Sequence, residues 1–104
     1  MKREEFKTQA DALWNRIVLP QSFSSPIHGS VIGPDYIRIH YVLCHVHGVR
    51  VQERTIKFEM RKRRLLLGHR DGEIQTALPN MEAIGTEMQK FVDAFVADCQ
   101  KKAP

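Results

Sequence analysis

The sequence predicts an α+β fold in which a four- to five-stranded antiparallel meander carries an N-terminal and a C-terminal helix on one face (α-β-β-β-β-α). Three patterns predict it. Apolar residues recur at helical spacing near both ends of the chain, β-rich runs separated by short turn-like breaks fill the middle, and those runs alternate polar and apolar side chains. Two helices with one apolar face each, set against a sheet with one long apolar face, pack most economically as two layers. Residues 1–104 read as a single domain, long enough to bury roughly two thirds of the surface of the unfolded chain.

The first element rests on Phe6, Ala10, Leu13, Trp14 and Ile17, which share a helical face between Glu4 and Ile17. Glu4 and Glu5 stand at the end where the macrodipole favours negative charge, and Pro20 closes the run. Residues 20–35, with three prolines, four serines and two glycines, read as a loop containing a short edge strand at Val31-Ile32. A long hairpin follows, Tyr36 to Val46 and Val49 to Met60, turning at His47-Gly48. That turn predicts Val46 opposite Val49, Cys44 opposite Val51, Ile39 opposite Ile56 and Ile37 opposite Phe58. A loop at residues 61–64 then sets Leu65 opposite Met60 and Leu67 opposite Phe58. A second loop, at residues 69–72, sets Ile74 opposite Leu67 in a final strand over 73–78.

Asn80 is a good N-cap after Pro79, Glu82 falls in the first turn and Lys101-Lys102 in the last, which together predict a helix from Met81 to Lys101. Its stripe is Met81, Ile84, Met88, Phe91, Val92, Phe95 and Cys99. Gly85 flanks it, either marking a close approach to a neighbouring backbone or being incidental. Trp14, Tyr41, Met88, Phe91 and Phe95 are the side chains that would line a cavity between sheet and helices. Close packing predicts that they fill the core instead.

The hairpin changes its apolar face along its length. Ile37, Ile39, Ile56 and Phe58 share one face far from the turn, whereas Val42, Cys44, Val46, Val49 and Val51 share the other near it. One core cannot easily cover both, so the outer end is expected to pack against a second copy of the chain, forming a homodimer.

Composition limits the remaining classes. At 42% hydrophobic and 27% charged residues the chain reads as a soluble globular protein, and no run approaches the length of a membrane span. Residues 1–5 pass straight to charge without the apolar stretch of a secretory signal. Cys44 and Cys99 read as free thiols in a reducing compartment, which predicts a cytoplasmic protein.

Positive charge concentrates in Arg50, Arg54, Lys57, Arg61, Lys62, Arg63 and Arg64, against Glu53 and Glu59 alone. A basic hairpin and loop can contact phosphates, so nucleic-acid binding through Arg50, Arg54, Arg61, Lys62, Arg63 and Arg64 is the alternative function. Arg-rich loops also serve simply to keep a sheet soluble, and at 8% aromatic content no interleaved aromatics accompany them. Arg38, Lys57 and Glu59 read as a solvated face.

His45 and His47 share a strand face, but Cys44 points the other way and Arg50 beside them repels a cation, so no metal is expected. Neither cysteine, nor Ser22, Ser24 or Ser25, has the base and orienting group of a nucleophile. Asp35, Asp71 and Glu73 read as turn residues rather than an acid and base pair. The sequence therefore predicts a non-enzymatic binding protein without a cofactor, self-associating through its hairpin, whose small-molecule ligand, if it has one, is unidentified.

Overall fold

A computed structural model describes residues 1–21, 27–33, 36–47, 49–62, 64–69 and 76–101. Helix α1 (Arg3–Leu13) runs directly into a wider π-helical turn at Trp14–Val18, whose closing bond is Leu19 N–H to the Trp14 carbonyl at 3.1 Å. The sequence pattern predicts one regular helix here. The wider turn instead brings Trp14, Ile17 and Val18 all into the core, an arrangement typical of the single π turns inserted in α-helices.

Five strands follow: β1 (Ile27–Ile32), β2 (Tyr36–His47), β3 (Arg50–Arg61), β4 (Arg64–His69) and β5 (Thr76–Leu78). They form one antiparallel sheet in sequence order, as a meander does. Helix α2 (Met81–Lys101) completes the α+β fold. Its N-terminus is capped as the sequence predicts, the Ala83 N–H donating to Asn80 Oδ1 at 2.9 Å.

The β2–β3 register differs from the predicted one by two residues. Val46 faces Val51, Cys44 faces Glu53, Tyr41 faces Ile56, Ile39 faces Phe58 and Ile37 faces Met60. His47 and Arg50 are the last pair, so Gly48 and Val49 connect the strands instead of His47 and Gly48. A two-residue slip leaves each side chain on its original face, so the apolar pattern is equally satisfied by either pairing. The β3–β4 pairs Met60–Leu65 and Phe58–Leu67 are as predicted. In the β4–β5 pair, Thr76 rather than Ile74 lies opposite Leu67, and Ile74 and residues 70–75 fall outside the described residues.

Both helices lie on one face of the sheet. Ile37, Ile39, Tyr41 and Leu43 of β2, Ile56, Phe58 and Met60 of β3, and Leu65 and Leu67 of β4 meet Phe6, Ala10, Trp14, Ile17 and Val18 from the first helix and Ile84, Met88, Val92 and Phe95 from α2. Each large side chain buried this way contributes about 1.5–3 kcal/mol of transfer free energy. Trp14 stacks on Tyr41 with ring centroids 4.7 Å apart, Phe58 meets Tyr41 edge-on, and the Tyr41 hydroxyl donates to the Ala10 carbonyl at 3.0 Å. These aromatics are core, as predicted. Gly85 faces the first helix: a Cβ there would stand 3.1 Å from Leu13 Cδ2, so the close approach it permits is to a side chain.

Candidate functional site

Twelve residues of extended chain span about 40 Å, whereas the 21 residues of α2 span about 32 Å. Each strand of the hairpin is therefore longer than the helix beside it. Near its C-terminus α2 still reaches the hairpin through Asp98, which accepts from Gln52 Nε2 and from an Arg54 guanidinium, both at 3.1 Å. This contact lies on the helix-covered face. Among the described residues, no helix lies on the opposite face of the hairpin.

On that open face the alternate residues of β2 (Tyr36, Arg38, His40, Val42, Cys44, Val46) stand beside those of β3 (Val51, Glu53, Thr55, Lys57, Glu59, Arg61). Its outer end is largely apolar, interrupted by the exposed Glu53, which stands directly opposite Cys44 where the predicted register had Val51. Val46 and Val51, a directly opposed pair, are 48% and 61% exposed, Val49 in the connection is fully exposed, and Val42 and Cys44 are half-buried. The structure thus brings Val42, Cys44, Val46 and Val51 to one surface, with Val49 at its rim. Neither Cys44 nor Cys99 is in a disulfide, and Cys99 packs against the core from α2.

The other end of the open face is charged. Glu59 is buried, where the sequence reading made it solvated, and Arg38 and Arg61 pair with its Oε1 at 3.4 and 3.1 Å. Both guanidiniums also stand against the Tyr36 ring, 5.9 and 4.9 Å from its centroid. His40, facing Lys57 across the strands, is held below its usual imidazole range first by burial, then by the positive charges of Lys57 and Arg38.

The six basic residues singled out as phosphate contacts do not form one surface. Arg54 is engaged with Asp98 on the helix side, while Arg61 lies on the open face with Arg64 opposite it. Arg50 opens β3 at the far end of the hairpin, eleven residues and about 36 Å from Arg61. Lys62 sits in the β3–β4 turn with φ 57°, a left-handed backbone unusual for a side-chain-bearing residue, and Arg63 lies outside the described residues. Sequence reasoning missed Arg38 and Glu59. The only available signal was their opposite charge at equal distance from the turn, a pairing visible only once the register is known.

Among the described residues no three His, Cys, Asp or Glu side chains gather as a metal site would require, and no helix is long and apolar enough to cross a membrane. Two surface clefts lie near the β3–β4 end. One, of about 480 Å³, is lined by Met60, Leu65, Leu78 and Met81 among others; another, of about 340 Å³, lies between Met60, Lys62 and residues 1–4. Neither gathers an acid, a base and a nucleophile. No protein-family model, curated protein or solved structure matches the chain.

Proposed function

We propose that the chain is a small, non-enzymatic cytoplasmic interaction protein that forms a homodimer through the outer end of its β2–β3 hairpin. The observation that carries this reading is the exposed valine patch of Val46, Val49 and Val51, beside Val42 and Cys44, on a sheet face that no helix among the described residues covers. Apolar surface of this kind marks a place where another surface packs, and a second copy supplies the same patch through a two-fold axis. Five side chains fall well short of the 20–30 residues per side of a standard interface, so the contact belongs to the weak class. Amide resonances of residues 44, 46 and 51 should therefore shift on dilution, and Val46→Asp should abolish those shifts while leaving the rest of the spectrum folded. Concentration-independent resonances at these positions would overturn the reading.

A second reading, contact with nucleic-acid phosphates, is favoured by Arg61, Lys62 and Arg64 lying together at the β3–β4 turn. It predicts retention on immobilised DNA that weakens steeply with salt.

A further inference from the structure

Among the described residues Glu59 is the only buried charged side chain, and no described helix covers the face it lies on. Taking a carboxylate out of water costs several kcal/mol unless it is well paired, so a merely solubilising surface has no need of it. Three residues neighbour it on the sheet. Leu66, itself buried, lies directly opposite on β4, Arg38 lies directly opposite on β2, and Arg61 is two residues along on β3. Both guanidiniums converge on the same carboxylate oxygen and on the same tyrosine ring. That ring is fixed in turn, because Tyr36 packs so closely on Gly33 that a Cβ there would fall 2.2 Å from a ring carbon.

The result is two arginines held by a buried acid on one side and an aromatic ring on the other, both still partly open to solvent. A guanidinium has five N–H donors in a planar fork, and one carboxylate oxygen uses few of the ten present. Among the described residues, Lys57, on the same face of β3, and Arg64, opposite Arg61, add two further cations beside this pair. Fixed guanidinium forks beside further positive charge match the tetrahedral oxygens of a phosphate.

We propose that this corner of the open face is a binding site for a phosphate group, with Arg38 and Arg61 as its ligands and Glu59 as the positioning residue. The proposal narrows the second reading above to one place in the fold and does not depend on dimer formation. Glu59 makes it distinguishable from a diffuse basic patch. Replacing Glu59 by Gln removes a negative charge, which strengthens anion binding to a diffuse surface but releases the two arginines from a built site.

The test is an amide-shift titration of the full chain at constant ionic strength with inorganic phosphate, adenosine monophosphate and a short oligodeoxythymidine. We expect saturable shifts centred on residues 36, 38, 59 and 61, and affinity at least about tenfold weaker in Glu59→Gln. Equal or tighter binding by Glu59→Gln overturns the proposal. Should that variant fail to fold, Arg38→Lys and Arg61→Lys at partly exposed positions keep the charge and lose the fork, so a similar weakening supports the site and unchanged affinity overturns it. Tighter binding of the oligonucleotide than of the two small anions, still sensitive to Glu59→Gln, identifies a nucleic-acid backbone as the source of the phosphate; comparable affinity for all three identifies a free phosphate or phosphomonoester. Oligonucleotide binding that ignores Glu59→Gln removes this site and leaves the second reading standing, while failure of all three ligands to bind removes both.

Discussion

Tyr41→Phe isolates a polar contact set within the apolar core. The substitution keeps the ring that stacks on Trp14 and meets Phe58, and deletes only the hydroxyl that donates to Ala10 O. That carbonyl also accepts the Trp14 N–H at the end of α1, so it is not left unsatisfied. The loss should therefore be that of a single neutral hydrogen bond, about 1 kcal/mol, rather than the larger cost of an orphaned acceptor. For a chain of this length that corresponds to a fall in Tm of about 4–8 °C. Trp14 is the only tryptophan, so urea unfolding followed by its fluorescence reads the contact at its centre. The variant should also change the alkaline limb. Burial, assisted by the charge of Asp11, raises the Tyr41 pKa in the fold, so the unfolded chain loses the phenolic proton first and stability declines as pH rises above about 10. Tyr41→Phe should remove that share of the decline. A variant as stable as the wild type, or one losing more than about 3 kcal/mol, would refute the packing described around this hydroxyl.

Three further outcomes follow from the same structure. His40 is held below its usual range by burial and by Lys57 and Arg38, so the unfolded chain takes up its proton first on acidification; stability should fall as pH drops below about 6.5, and His40→Gln should flatten this slope in denaturant titrations. Asn80→Ala removes the α2 cap and should cost about 1 kcal/mol by calorimetry, with no change in molecular mass. Gly33→Ala forces a Cβ into the Tyr36 ring and should both lower Tm and displace the Arg38 and Arg61 resonances, whereas Gly85→Ala, meeting the far ends of the Leu13 and Arg16 side chains, should be nearly neutral.

Much of the architecture is legible in the residues because solvent writes it there. The helical spacing of Phe6, Ala10 and Trp14, the stripe from Ile84 to Phe95, and the alternation through Ile37, Ile39, Ile56 and Phe58 each record which side of an element meets water. Asn80 and the Met60–Leu65 pair were readable for the same local reasons. The hairpin register was not, since a slip of two residues preserves every face and only the turn distinguishes the alternatives. The π turn at Trp14–Val18 was hidden too, because a wider turn answers to tertiary packing and its residues suit a regular helix equally well. For the candidate surfaces, the valines of the outer hairpin were visible as residues on the wrong face. The corner at Glu59 was invisible, because a charged residue on a sheet reads as solvated until its partners across two strands are known.

Molar mass by sedimentation equilibrium, across a concentration series reaching hundreds of micromolar, bears most directly on the central claim that two hairpin ends pack together. The account predicts a wild-type mass that climbs from the 12.0 kDa of one chain toward twice that value, with Val51→Asp remaining at one chain throughout. A wild-type mass fixed at one chain over the whole series, or a Val51→Asp variant that associates as the wild type does, would contradict it.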